Sequence, residues 1–115
     1  MSRKIVFFGD YFRDFFEKQS EKVKIKIDYV LYLITNIERV PAKFLKQVEG
    51  SEGLYEIRTR VGSNIFRIFC IFDEGNLIVL LNAFQKKTRK TPKNEIHLAE
   101  KLKDEYFKEK LKGGK

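Results

Sequence analysis

Leu54-Tyr55-Glu56-Ile57-Arg58-Thr59-Arg60-Val61-Gly62-Ser63-Asn64-Ile65-Phe66-Arg67-Ile68-Phe69-Cys70-Ile71-Phe72 is the stretch on which the fold turns. From Glu56 to Val61, charged residues alternate with Ile57, Thr59 and Val61. That two-residue period belongs to a strand with one polar face, here Leu54–Val61. Gly62-Ser63 is a two-residue hairpin signal, because glycine supplies the backbone twist such a turn needs. Ile65–Phe72 then reads as a second, very apolar strand. Asp73-Glu74-Gly75-Asn76 is a turn, and Leu77–Phe84 is a third strand running into the basic stretch Gln85–Lys90. Three sequential strands joined by tight turns predict an antiparallel meander.

Working outward, Ile5-Val6-Phe7-Phe8 is a short strand-like run closed by Gly9-Asp10. Asp10 is placed to cap a helix from Tyr11, whose Phe12, Phe15 and Phe16 share a face. Ser20 is placed to cap a longer helix carrying Val23, Ile27, Val30, Leu31, Ile34 and Ile37 at helical spacing. Ile25, Tyr29, Tyr32 and Leu33 widen that stripe. The spacing predicts an end near Val40, since Pro41 disfavours helical backbone in the residue before it. Pro41 to Gly53 reads as a connection, with room for one helical turn at Ala42–Lys46. Thr91-Pro92 opens a last helix from Lys93 to about Lys108, with a Lys/Gly tail at about residues 109–115 expected to fray. The order β-α-α-β-β-β-α, with helices before and after one small antiparallel sheet, predicts an α+β fold in a single domain over residues 1–115.

The hairpin carries a geometric consequence. If Gly62-Ser63 is the loop, Val61 faces Asn64, Arg60 faces Ile65 and Arg58 faces Arg67. Like charges directly opposite on a sheet repel, so two guanidiniums there make sense if an anion fills the space between them. Side chains alternate along a strand, which puts Glu56, Arg58 and Arg60 on one face with Arg67. Carrying the register through the Glu74-Gly75 turn sets Arg67 opposite Asn82 and adds Asn82, Phe84 and Lys86 to that face. Such a surface suits a phosphodiester with a stacked base. The alternative is a solvated polar face with incidental cations. Against it, Arg67 is the only charge in the Ile65–Phe72 strand. Lys87, Arg89 and Lys90 lie between strand end and helix start, where cations meet phosphates or simply face water.

Composition narrows the function classes. Hydrophobic residues make up 43% of the 115, enough for a packed core. A formal charge of +8 favours a polyanionic partner. One histidine, His97, and one cysteine, Cys70, leave no metal-ligand set, no internal disulfide and no Ser-His-Asp or Cys-His arrangement. Cys70 sits in an apolar run and reads as a small buried hydrophobe. No GxxxxGK[ST] or GxGxxG motif is present. No apolar run approaches the roughly 18 residues of a membrane span, and no signal-peptide pattern follows Met1, so a cytoplasmic protein is expected.

Four segments carry a resemblance: Gly53-Leu54-Tyr55-Glu56-Ile57-Arg58; Phe66-Arg67-Ile68-Phe69; Leu80-Leu81-Asn82-Ala83-Phe84-Gln85-Lys86-Lys87-Thr88; and Thr91-Pro92 with Glu95-Ile96 and Ala99. Together they resemble the phage-derived HigB branch of the RelE toxin superfamily. The resemblance implies a RelE-like sheet packed by N-terminal helices. It implies cleavage of mRNA, commonly in the ribosomal A site. It also implies neutralisation by a cognate antitoxin, often a helix-turn-helix protein. The family's strand positions fall here on Glu56, Arg58 and Arg67, and its basic position after the last strand on Lys86 or Lys87. The sequence departs from the pattern in two places. Glu56 stands where RelE itself is basic, and neither Tyr nor His follows Lys87.

The expected chemistry is in-line attack of a ribose 2′-OH on its own 3′ phosphate, giving a 2′,3′-cyclic phosphate without cofactor or metal. Arg58 and Arg67 are the expected charge stabilisers, Glu56 the candidate base, and Lys86 and Lys87 candidates for phosphate contact or protonation of the leaving oxygen. Arg60, Asn82, Phe84, Arg89 and Lys90 are the expected RNA contacts. The rival expectation is an RNA-binding or partner-binding module without catalysis.

Overall fold

The computed structural model describes residues 2–113. The chain runs β1 (Lys4–Phe7), α1 (Tyr11–Glu17), α2 (Glu21–Asn36), β2 (Leu45–Gln47), β3 (Tyr55–Val61), β4 (Asn64–Asp73), β5 (Leu77–Lys86) and α3 (Lys93–Gly113). The strands form one sheet in the order β1-β5-β4-β3-β2. All neighbours pair antiparallel except β1 and β5, which are parallel. This is the α+β arrangement expected from the sequence, with one strand more than expected.

That strand is β2. Ala42–Lys46 was expected to hold a helical turn. The turn forms over Ala42 to Phe44, the Phe44 and Leu45 amides donating to the Pro41 carbonyl at 2.9 and 3.2 Å, but from Leu45 the chain extends: Leu45–Gln47 pairs with Tyr55–Ile57, and the Arg58 amide donates to the Phe44 carbonyl at 2.8 Å. An exposed β3 edge with unmade hydrogen bonds recruits the preceding segment more effectively than three residues of isolated helix can hold themselves.

The sheet separates two apolar layers. On one face, Val23, Ile27, Val30 and Ile34 of α2 and Phe12 of α1 meet Ile57, Phe66, Ile68, Cys70, Ile78 and Leu80. Ile27, Val30 and Ile34 are fully buried, each contributing about 1.5–3 kcal/mol in transfer terms. On the other face, Ala99 and Leu102 of α3 pack on Leu54, Phe69, Ile71, Val79, Leu81 and Phe84.

Two helix ends differ from the sequence reading. The Asp10 carboxylate makes no cap bond and lies 3.7 Å from Arg13 instead, whereas Ser20 does accept from the Val23 amide at 3.3 Å. Helix α2 stops at Asn36, four residues before Val40. The Arg3 guanidinium donates to the carbonyls of Ile34, Ile37 and Glu38 at 2.7–2.8 Å. A distant cation thus satisfies acceptors that a helix end leaves free, so termination does not wait for Pro41. Helix α3 continues past Lys108 because Lys110 is tied to Asp73 at 2.7 Å and Glu74 at 2.9 Å on the β4–β5 turn. Residues 114 and 115 of the tail lie outside the described residues.

Candidate RNA-binding face on the sheet

The β3–β4 register is the expected one: Val61 faces Asn64, Arg60 faces Ile65 and Arg58 faces Arg67. Gly62 takes φ 61°, a conformation that side-chain-bearing residues rarely adopt and that sets the tight turn. The β4–β5 register differs. Arg67 faces Phe84, not Asn82. The loop holds three residues, Glu74 to Asn76, between paired Asp73 and Leu77, which adds one residue. A bulge that sets Leu81 and Asn82 against Phe69 adds another. Two slips of one residue restore the parity, so Phe84 and Lys86 still share the face of Arg67.

Glu56, Arg58 and Arg67 come together. One Glu56 carboxylate oxygen lies 3.2 Å from Arg58 Nε and 3.7 Å from Arg67 Nε. The Arg67 side chain is 9% exposed and that of Glu56 12%, while Arg58 keeps 30%. Arg67 also donates to the Phe66 carbonyl at 3.2 Å. Neither Nε makes a well-directed hydrogen bond. Burial pushes the Arg67 guanidinium below the usual arginine range; Glu56 opposes that, and Arg58 and Arg60 add to it. Two guanidiniums share one carboxylate and Arg60 adds a third positive charge felt by Arg67, which leaves the cluster short of negative charge and suited to an anion.

Helix α3 covers only the half of this face nearer the β4–β5 turn. The hairpin end stays open over a cavity of about 560 Å³, lined among others by Arg58, Thr59, Arg60, Ile65 and Arg67. Other expected residues lie outside it. Asn82 is buried, its amide donating to the Glu95 carbonyl and carboxylate at 3.1 Å each, so it anchors the start of α3. Phe84 is 8% exposed, its ring centroid 5.6 Å from that of Phe69. The Lys86 ammonium donates to the Thr88 carbonyl at 3.0 Å and the Arg89 carbonyl at 2.5 Å, closing the strand-end turn. Lys87, Arg89 and Lys90 are exposed on that turn, and His97 is exposed on α3. Among the described residues no group of three or more His, Cys, Asp or Glu is placed to hold a metal ion.

The family model for phage-derived Gp49-like proteins matches residues 14–104. The chain belongs to the phage-derived Gp49-like family. That family is of the RelE/HigB toxin type, as the sequence resemblance implied. Among solved structures, the Gp49-like chain is similar to the archaeal RelE–RelB complex from Pyrococcus horikoshii OT3, at 12% identity over 78% of this chain and 100% of that one, with a TM-score of 0.50. At that identity the likeness establishes a RelE-like fold. No curated protein matches the chain.

The cavity of this Gp49-like protein also has walls that the sequence reading missed: Lys26 of α2, and Lys43 and Phe44 of the segment entering β2. Lys43 and Phe44 reach the site because β2 pairs with β3, a contact too short to leave a periodic pattern in the sequence, and Lys26 because α2 packs against β3. No helix is long and apolar enough to cross a membrane among the described residues.

Proposed function

We propose that this chain is the toxin of a toxin–antitoxin pair, of the HigB branch, that cleaves mRNA in the cytoplasm, on the ribosome. The observation that carries the reading is the apposition of Arg58 and Arg67 across the hairpin, both within ion-pair distance of Glu56, beneath an open cavity.

In this reading the 2′-oxygen attacks the adjacent phosphorus while the bond from phosphorus to the 5′-oxygen breaks. The products are a 2′,3′-cyclic phosphate and a 5′-hydroxyl. The nucleophile belongs to the substrate, so the protein orients the ribose, balances charge and moves protons. Arg67 and Arg58 face the phosphorane oxygens, where preorganised donors act most strongly in a water-poor site. Glu56 holds both guanidiniums and is the proton acceptor from the 2′-OH. Lys87 is the candidate donor to the leaving oxygen, with Lys86 available once its turn opens. Arg60, Arg89 and Lys90 contact flanking phosphates, and Asn82 and Phe84 support the face from beneath. With one His and one Cys in the whole chain, the step is assigned to these groups without a metal. Neutralisation falls to an antitoxin of helix-turn-helix type that covers the cationic face, the exposed Tyr29 and Tyr32 of α2, or both.

Two observations favour a second reading, RNA binding without cleavage. Neither Tyr nor His lines the cavity, and Lys86 is engaged by its own turn. Induced expression without a partner decides between them. Growth arrest with new mRNA 5′ ends by primer extension supports cleavage, whereas arrest with intact mRNA favours binding alone.

A further inference from the structure

The cavity over Arg58 and Arg67 does not end at the sheet face. Strand β2 pairs only with Tyr55–Ile57, so Thr59 to Val61 form an edge of the sheet. The cavity wraps that edge to Lys26, Lys43 and Phe44. A second cavity, of about 460 Å³, adjoins it and shares Lys26, Arg60 and Gly62. Lys22, Ile25 and Tyr29 of α2 and Val61 of β3 complete its walls. Among the described residues neither cavity is lined by an Asp or Glu.

Two features of this path point to one kind of ligand. First, each aromatic on it is accompanied by a lysine: the Lys43 ammonium lies 5.0 Å from the Phe44 ring centroid, and that of Lys26 lies 5.9 Å from the Tyr29 ring centroid. An aromatic face beside a cation is what a nucleotide needs, a base stacking on the ring and its phosphate meeting the charge. Second, the wall between the cavities has donors to spare. The buried Thr59 hydroxyl has no hydrogen-bond partner. Arg58 and Arg60 have the same backbone orientation, and the Arg58 amide donates outward to Phe44, so the Arg60 amide points outward at an edge with no paired strand. Tyr29 is 51% exposed, with the Lys26 ammonium beside its ring.

We propose that single-stranded RNA leaves the Arg58–Arg67 site over the β3 edge and continues along α2, placing one flanking nucleotide against Phe44, Lys43 and Arg60 and the next against Tyr29, Lys26 and Lys22. The inference rests on the RNA reading of the sheet face and adds the route of the strand beyond the reacting phosphate. The alternation of ring and cation matches the repeat of base and phosphate along a single strand, and an antitoxin that covers Tyr29 would compete with RNA for this path.

The test is fluorescence anisotropy of end-labelled RNA with the full chain, using a trinucleotide and an eight-nucleotide strand. Arg67→Ala serves as the background, so that binding is read without cleavage. Adding Lys22→Ala and Tyr29→Ala together, residues that line only the second cavity, weakens the eight-nucleotide complex by about tenfold or more, from one lost phosphate contact and one lost stack. The same pair changes trinucleotide binding by less than about twofold, because those RNAs do not reach α2. The salt slope for the longer strand falls by about 0.7, the contribution of one phosphate on single-stranded nucleic acid. Lys101→Ala, exposed on α3, is the control that moves neither complex. Equal binding of the eight-nucleotide RNA by the background and the α2 variant overturns the route while leaving the sheet-face reading in place. So does loss of binding to a poly-glutamate peptide with RNA binding intact, which would give this surface to an acidic protein. Absence of any RNA binding by the wild-type chain at low salt overturns the RNA reading itself.

Discussion

Arg67→Met separates a residue kept for function from one kept for stability. In the folded chain the Arg67 charge is attracted by Glu56 at 3.7 Å, worth about 4 kcal/mol at an effective dielectric of about 20. Against this stand the loss of hydration, several kcal/mol for a buried ion, and repulsion from Arg58 and Arg60. The balance falls on the unfavourable side, since burial and the two arginines together hold the guanidinium below its ordinary range despite Glu56. Methionine fills a similar volume with no charge to desolvate. Glu56 is not orphaned, because Arg58 remains 3.2 Å away. One hydrogen bond to the Phe66 carbonyl is lost, at about 1 kcal/mol. The variant is therefore expected to be as stable as the wild type or more so, within about 1 kcal/mol, which is a shift of about 4 °C or less for a domain of this size. RNA cleavage by the same variant is expected to fall by roughly 100-fold or more, since an interaction made with the transition state is gone. Thermal unfolding by circular dichroism and cleavage of a labelled RNA give the two numbers. A fall in Tm of more than about 10 °C would show Arg67 to be a structural tie, and the argument from an anion-hungry cluster would fail.

Other expectations follow from particular contacts. Lys110 and the Tyr106 hydroxyl, each 2.7 Å from the Asp73 carboxylate, hold that group below the usual carboxylate range. Its contribution is complete above the ordinary carboxylate range and is lost as pH falls through the lowered folded value. Unfolding midpoints between about pH 7 and about pH 3 should therefore decline less steeply for Asp73→Asn than for the wild type. Arg3→Ala removes three bonds at the end of α2 and is expected to cost about 1–3 kcal/mol, with faster hydrogen exchange at the Ile37 amide; unchanged exchange there would contradict the capping role. Ile27→Ala empties a fully buried position and is expected to cost about 2–5 kcal/mol in denaturant unfolding while leaving RNA binding at the sheet face intact.

The parts of the fold legible in the sequence are those encoded by short-range pattern. The alternation from Glu56 to Val61 and the Gly62-Ser63 turn set the Arg58–Arg67 pairing without knowledge of the rest of the chain. The β4–β5 register was not legible, because a bulge and a third loop residue leave no periodic trace. Asn82 shows the consequence: its place on the face was right in parity, yet the bulge sets it beneath α3 against Glu95. The end of α2 depends on Arg3, more than thirty residues away, and β2 depends on an edge that exists only after β3 and β4 have paired. Lys43 and Phe44 join the cavity through the β2–β3 pairing and Lys26 through the packing of α2 on β3, so no local motif marked them. The extra apolar breadth of α2 was legible, and the structure leaves Tyr29 and Tyr32 exposed rather than beneath α1.

Metal-independent cleavage at the Arg58–Arg67 site is tested by incubating the purified chain with ribosomes carrying a defined mRNA in Mg2+ buffer, and with ribosome-free RNA in excess EDTA, and then analysing the fragment ends. Cleavage is expected to leave a 2′,3′-cyclic phosphate and a 5′-hydroxyl, and to be abolished by Arg67→Ala and by Arg58→Ala. Intact mRNA at full occupancy, or fragments ending in a 3′-hydroxyl and a 5′-phosphate, would contradict it.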